Sequence, residues 1–254
     1  MQIVALVGVW PKMTLFMQLC TLAVNVLCLP LHLMDAIGLC RLYKYLFPVC
    51  QCRLSRMYNK KMGDKKTELF SVLSEFKKPG KQLTLLEIGC GSGTNFEYYP
   101  AGCKVICTDP NPNFQKYLKS SMSENDQLIY ERFVVASGED MGAIEDESVD
   151  IVVCTLVLCS VKDISQTLRE VLRILRPGGA FFFLEHVVAD PSTWTHFIQH
   201  VLQPAWYYFG DGCVATRETW KYVESAGFSD LKLRHIAAPL VSIIKPHILG
   251  YAIK

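Results

Sequence analysis

Thr84-Leu-Leu-Glu-Ile-Gly-Cys-Gly-Ser-Gly-Thr-Asn95 decides the fold of this chain. Leu83 to Ile88 is a short, mostly apolar run, the pattern of a strand covered on both faces of a parallel sheet. It leads straight into Gly89, Gly91 and Gly93, where the backbone can turn sharply and a ligand can lie close against it. Glu87 places a carboxylate near the carboxyl end of that strand, the edge at which open α/β sheets bind ligands. A helix is expected to start near Thr94 or Asn95.

Further along, Lys104-Val-Ile-Cys-Thr-Asp109 reads as a second strand ending in an acid, one strand–loop–helix–strand step after Glu87. A carboxylate there can accept two hydrogen bonds from a ribose diol. Asp109-Pro-Asn-Pro112 is also dense in turn formers, and the two roles are compatible. Glu131 to Ala136 is a third strand candidate, and Ser148 to Val161 holds a fourth, buried one that ends near Thr155 to Cys159. A helix carrying Leu168, Val171, Leu172 and Leu175 at helical spacing is expected to stop at Pro177-Gly-Gly179, ahead of a fifth strand.

A dinucleotide loop, Gly-x-Gly-x-x-Gly, would need its third glycine at position 94, which is Thr94. The spacing found here, with an acid just upstream, instead resembles motif I of class I S-adenosylmethionine-dependent methyltransferases. Leu175-Arg-Pro-Gly-Gly179 before a strand is a recurrent feature of the same superfamily. The resemblance implies a Rossmann-like α/β fold with a mostly parallel seven-stranded sheet and S-adenosyl-L-methionine as cofactor. It sets Glu87, Gly89, Cys90, Gly91 and Gly93 against the amino-acid part, and Asp109, Pro110 and Asn111 at the ribose. Gly138, Glu139 and Asp140 would pass the adenine, although Glu139 and Asp140 also read as a solvent-facing acid pair, and Ser137 stands where the superfamily often has Asp. Thr155 and Leu156, at the end of the fourth strand, would face the methyl end of the cofactor.

The acceptor side is apolar. Nucleic-acid amino methyltransferases of this fold place Asp or Asn-Pro-Pro-Tyr or Phe after the fourth strand, where this chain has Thr155-Leu-Val-Leu-Cys159. Trp194, Phe197 and Trp206, beyond the fifth strand, are expected to form a greasy lid over the acceptor, with Cys159 beside it; core packing accounts for some of them in any case. His186, at the end of the fifth strand, is the candidate catalytic base, with a structural histidine as the alternative. No metal is expected, because Cys50-x-Cys52 is too short for a zinc knuckle and lacks a matching second pair. The eleven cysteines cannot all pair and read mostly as small buried hydrophobes in a reduced, cytosol-facing setting.

Half of the residues are hydrophobic, and the excess lies at the front. Met13 to Met34 carries no charged side chain and is long enough to span a bilayer. The first 66 residues hold nine basic and two acidic groups, whereas the remaining residues hold 17 and 22. This divides the chain into a membrane anchor (1–40), a basic juxtamembrane linker (41–66) and a catalytic domain (67–254). A cleaved signal peptide and a buried core helix are the competing readings of the front end. Pro30 and Gly38 leave a hairpin open beside a straight span, and Tyr43, Tyr45, Phe47 and Tyr58 suit a headgroup region. Lys and Arg directly after the span favour a cytosolic domain, and no nucleic-acid module is recognisable.

Leu29-Pro-Leu-His-Leu-Met34, Cys154-Thr-Leu-Val-Leu-Cys-Ser-Val161, Asp211-Gly-Cys213 and Pro246-His-Ile248 are similar to the methyltransferase-like seven group, membrane-associated thiol S-methyltransferases. The likeness runs from Met13 to Lys254, with Met1 to Lys12 as an added extension. It implies methylation of small lipophilic thiols on the cytosolic face of the endoplasmic reticulum, with lipid droplets as a second location. A membrane-anchored RNA or protein methyltransferase and a non-catalytic lipid-droplet scaffold are the alternatives.

Overall fold

Leu83 to Ile88 yields β1 (Thr84–Ile88), and all five of its residues are buried in the computed structural model. The structure describes residues 3–254, with side chains from Thr14 onward apart from Cys40, Arg41 and Lys44. Of the expected extension over Met1 to Lys12, Met1 and Gln2 and all the side chains lie outside what is described.

Beside β1 stand β2 (Lys104–Thr108), β3 (Ile129–Val134), β4 (Val149–Thr155), β5 (Leu175–His186), β6 (Asp230–Ala237) and β7 (Pro246–Ile253). They form one seven-stranded sheet in the order β3-β2-β1-β4-β5-β7-β6. β7 alone runs antiparallel to its neighbours, so the sheet is mostly parallel, as expected. Strand order reverses between β1 and β4, which puts the glycine loop at the switch point where such sheets bind ligands.

Alternation along each strand feeds two cores. Leu85, Val105, Val153 and Phe182 point to one face and meet Met62, Leu69 and Phe70 of α3 (Cys40–Phe70). Leu86, Ile106, Val152 and Phe183 point to the other and meet Leu168 and Val171 of α5 (Ile164–Ile174). α4 (Gln115–Ser123), α6 (Trp194–Phe209) and α7 (Thr219–Ser225) are the remaining helices of this part. At the β6–β7 pair the two backbones come so close that a Cβ on Gly250 would stand 1.8 Å from the Lys232 carbonyl oxygen.

Three elements differ from expectation. The helix expected from Thr94 or Asn95 is a single 3-10 turn, Phe96–Tyr98. Pro100 disfavours helical backbone in the residue before it, and the Asn95 side chain is engaged elsewhere. β5 begins at Leu175, so Arg176-Pro-Gly-Gly179 lies within the strand rather than before it, and the β4–β5 register shifts between Val149 and Ile151. Residues 41–66 are most of α3, which continues to Phe70 without a break at the expected boundary. Lys66, read as part of the basic surface, is 2% exposed, and Phe47 packs edge-on against Phe114 of the catalytic sheet's periphery.

The front end is α1 (Ile3–Leu27) and α2 (Leu29–Ala36). Among the described residues no single helix is long and apolar enough to cross a membrane; Thr14–Leu27 and Leu29–Ala36 pass only as a pair bent by 54°. Leu15, Leu19, Leu22, Leu27 and Leu33 are each more than half exposed, which does not fit a buried core helix. One side of α1 rests on α6: Phe16 stacks on Phe197 with ring centroids 5.8 Å apart. His32 Nδ1 lies 2.5 Å from the Tyr208 hydroxyl.

Candidate active site

The glycine loop is held by a set of buried polar groups. Asn95 Nδ2 donates to Glu87 Oε1 at 2.7 Å and lies 2.9 Å from Thr155 Oγ1, which ties the loop to the end of β4. The Tyr99 hydroxyl donates to Glu87 Oε2 at 2.7 Å. Lys66 Nζ reaches in from α3 and donates to Asn95 Oδ1 at 2.7 Å and Asn59 Oδ1 at 2.5 Å. Both Glu87 oxygens therefore have partners inside the protein, so Glu87 braces the loop from beneath.

Burial raises the Glu87 pKa to about 7, against the lowering effect of the Tyr99 and Asn95 bonds. Burial lowers Lys66 to about 8, opposed first by Glu87. Between the ordinary value near 4.5 and about 7, the folded chain keeps a proton on Glu87 that the unfolded chain releases. Its contribution to stability is complete below the lower value and is lost as pH rises through the upper one, a difference of about 3 kcal/mol. Glu87→Gln should flatten the fall in melting temperature between about pH 5 and pH 7. A slope identical to that of the parent chain would show that Glu87 is ionised throughout.

Asp109 stands at the end of β2 with its carboxylate turned to the loop. Oδ2 accepts from Gly91 N at 3.1 Å and Oδ1 from Asn111 N at 2.8 Å. Burial raises its pKa to about 6, against these two bonds. Gly89, Gly91 and Gly93 all have positive φ, and a Cβ on Gly91 would meet only the Phe114 ring, at 3.8 Å. A carboxylate oxygen has two acceptor positions, so each can hold its backbone donor and still receive a diol hydroxyl. The open space at Gly91 beside such a carboxylate fits the ribose and amino-acid parts of the expected cofactor.

The other expected contacts sort themselves by place. Cys90 is buried, its N–H on the Thr108 carbonyl. Pro110 is exposed, and the Asn111 side chain accepts from Asn113 N. Gly138 is buried against Thr167. Glu139 Oε1 accepts from Lys162 N at 2.5 Å and Asp163 N at 3.4 Å, so it secures the approach to α5. Asp140 is exposed. Leu156 has φ 59°, and this turn sets Val157 against Gly89, whose Cβ would lie 2.4 Å from Val157 Cγ2.

On the acceptor side the structure joins residues far apart in sequence. Cys159, His186 and Cys213 are all buried, and their ligand-type atoms lie within 4.8 Å of one another. Cys213 Sγ is 3.1 Å from His186 Nε2 and accepts from Trp206 Nε1 at 2.9 Å. The Cys213 contact and burial push the Cys159 thiol well above its ordinary pKa. His186 Nδ1 and Glu185 Oε2 are buried without a hydrogen-bond partner. The structure thus brings His186, Cys159 and Trp206 together around Cys213, and His186 Nε2 faces a protein thiol. Trp194 is 75% exposed and Phe197 stacks on α1, so neither joins the cluster.

Cys213 was missed as a site residue, although Asp211-Gly-Cys213 was among the stretches that carry the family resemblance. Its neighbours open onto a cleft of about 490 Å³ between the front helices and α6, lined by Thr21, Asn25, His200, Gln203, Tyr207 and Val214 among others. Gln203 Nε2 donates to the Cys213 carbonyl and Val214 N to the Cys159 carbonyl, both at 2.9 Å, so the cleft floor adjoins the thiol–imidazole cluster. Lys66, Asn95 and Tyr99 were missed too. The spacing of Lys66 from Met62, Leu69 and Phe70 is that of one helix face, which was a usable signal.

Comparison with known proteins bears on the family and the fold. The family profile described as a methyltransferase domain matches residues 86–183. Thiol S-methyltransferase TMT1A of Homo sapiens is 58% identical over 209 residues, covering 82% of this chain and 86% of the relative. Thiol S-methyltransferase TMT1B of Homo sapiens is 48% identical over 247 residues, covering 95% and 100%. Among solved structures, geranyl diphosphate methyltransferase in complex with GPP and sinefungin aligns with TM-score 0.56 at 17% identity, over 75% of this chain and 78% of that one. The CurJ carbon methyltransferase aligns at 0.53 and 22%, over 74% and 53%. These two likenesses support the fold.

Proposed function

This chain belongs to the thiol S-methyltransferase family of class I S-adenosylmethionine-dependent methyltransferases, and we propose that it methylates the sulfur of small lipophilic thiols at a membrane surface. Asp109 beside the open glycine loop, at the switch point of the sheet, carries the cofactor part of this reading. The choice of a thiol rests on the two human relatives, whose names state that acceptor. When bound, S-adenosylmethionine supplies a methyl group on a sulfonium sulfur. Asp109 and the backbone of the loop would hold its ribose and amino-acid ends, while Glu87, Asn95 and Lys66 keep that loop rigid. Rigid placement is the main requirement of an in-line displacement, which needs the reacting atoms about 3–3.5 Å apart. The acceptor sulfur gains the methyl carbon, and its thiol proton has to leave.

The apolar cleft beside α1 supports a lipophilic acceptor, and the exposed leucines of α1 and α2 support membrane attachment. The basic, exposed face of α3 would suit anionic headgroups, and the cytosolic face of the endoplasmic reticulum, with lipid droplets, is the proposed location. Carbonate extraction followed by sedimentation should leave the full chain in the membrane pellet. Recovery in the supernatant would contradict an integral anchor. For the reaction, membranes carrying the full chain are incubated with labelled S-adenosylmethionine and a panel of thiols, phenols, amines and RNA. Label should pass to lipophilic thiols; label on RNA alone would overturn the acceptor.

A further inference from the structure

We propose that Cys159, His186 and Cys213 form a zinc site whose fourth ligand is the acceptor thiol. The inference rests on the thiol-methylating reading above and adds the means by which the acceptor is ionised and held. Two thiol sulfurs and an imidazole nitrogen already lie within 4.8 Å of one another, in a buried position at the carboxyl ends of β4 and β5. Zinc takes Cys and His ligands about 2.0–2.3 Å from the metal, so donor atoms around one ion stand roughly 3.3–3.8 Å apart. The observed 3.1 Å between Cys213 Sγ and His186 Nε2 is close to that spacing. Two cysteines and one histidine, with the fourth position left to water or substrate, is a known catalytic zinc arrangement.

Charge and softness point the same way. Zinc binding releases the Cys159 and Cys213 thiol protons to solvent, and two thiolates with a neutral imidazole bring the ion to a net charge of zero until the acceptor thiolate joins, so the resting site can sit in this apolar interior with a small desolvation cost. Thiolate donors select zinc over the hard cations magnesium and calcium. Trp206 Nε1 already donates to Cys213 Sγ at 2.9 Å, an outer-shell bond of the kind that orients and tunes a metal-bound sulfur. His186 is fixed as the last residue of β5, and Cys159 lies in the turn after β4, where its carbonyl accepts from Val214 N at 2.9 Å. The backbone of Cys213 is held by the bond from Gln203 to its carbonyl, so the three donors are already gathered within 4.8 Å and need only a small side-chain adjustment to close on an ion.

An apolar cleft lies beside the site and is the proposed way in for the acceptor. The cleft between the front helices and α6 is lined in part by Gln203 and Val214, which are hydrogen-bonded to the carbonyls of Cys213 and Cys159, so one layer of backbone separates it from the cluster. An acceptor R–SH entering there binds the ion as R–S⁻, and its proton passes to solvent; a metal-coordinated thiol is deprotonated outright. No oxidation or reduction takes place. The methylated product is an uncharged thioether, a poorer ligand, and leaves. A hydroxyl acceptor of the same shape is a harder ligand that ionises far less readily, so the ion would discriminate in favour of sulfur.

The test uses the full-length chain purified in detergent, reconstituted with zinc chloride and dialysed against metal-free buffer. Elemental analysis should find about one zinc per chain. Cys159→Ser and Cys213→Ser should each lower that to less than about 0.2 while retaining the parent's far-ultraviolet circular dichroism; Cys50→Ser, at an exposed position, should not lower it. Replacing zinc by cobalt(II) should give a thiolate charge-transfer band. That band should shift on adding a lipophilic thiol without cofactor, and not on adding the matching alcohol. Folded parent chain that holds no zinc after reconstitution, or zinc retained in both serine variants, overturns the site. Thiol methylation by the zinc-free chain removes the metal but leaves the reaction standing, whereas zinc binding with no thiol methylated does the reverse.

Discussion

Asp109→Ala is expected to weaken S-adenosylhomocysteine binding by about 10- to 150-fold, the loss of hydrogen bonds to a charged group of roughly 1.5–3 kcal/mol. Two effects combine. The variant removes the acceptor for the ribose diol, and it also frees Gly91 N and Asn111 N, which the carboxylate holds at 3.1 and 2.8 Å. The unliganded protein should melt within a few degrees of the parent, because burial already disfavours the ionised carboxylate and raises its pKa to about 6. The same shift sets a pH limit: parent affinity should decline as pH falls through about 6 and Asp109 takes up its proton. Asp109→Asn keeps one acceptor oxygen and should fall between the two. Calorimetric titration decides it; equal affinity in the alanine variant and the parent would mean that the ribose lies elsewhere.

The second large effect is on folding. Gly250→Ala would place a methyl group 1.8 Å from the Lys232 carbonyl oxygen, and that neighbour is backbone in the paired strand, with little freedom to move aside. Overpacking of this kind typically costs 1–3 kcal/mol, and a backbone collision belongs at the upper end, about 3 kcal/mol. For a chain of this size that lowers the melting temperature by about 10 °C. β7 also carries His247 beside His186 and closes the sheet on β5, so activity should fall with the fold. Thermal unfolding in detergent micelles measures the loss. A shift of less than about 2 °C would show that β6 can slide away from β7 at little cost.

What could be read from the chain alone was what local chemistry fixes. Parallel strands covered on both faces are continuous apolar runs, so β1, β4 and β5 stood out, and the acid at the end of β2 needed only the one before it to be placed. Their flanking turns announced the glycine loop. What escaped notice depends on contacts remote in sequence. Met62, Lys66, Leu69 and Phe70 form a narrow buried stripe on a helix whose other faces are strongly basic, and the average composition looked like a linker. Trp194 and Phe197 were grouped with Trp206 as one aromatic cluster, yet helical geometry sends them to different neighbours. Cys213 reaches His186 across 27 residues, a distance no local pattern reveals.

α3 has a further consequence, for anyone wishing to shorten this protein. Its 31 residues make a rod of roughly 46 Å at 1.5 Å per residue, weakened at one point by Pro48. The far end of that rod is not a tether but part of the wall: Asn59 grips the Thr94 carbonyl and Lys66 grips Asn95. Cutting at residue 66 would therefore remove Lys66 together with the greasy segment and leave the carboxamide of Asn95 without its cation. A shortened version that keeps these contacts has to begin a turn or more upstream of Asn59, and it then carries the exposed Leu54 and Met57 into solution. Solubility and an intact cofactor loop pull the cut in opposite directions, because one helix serves both ends.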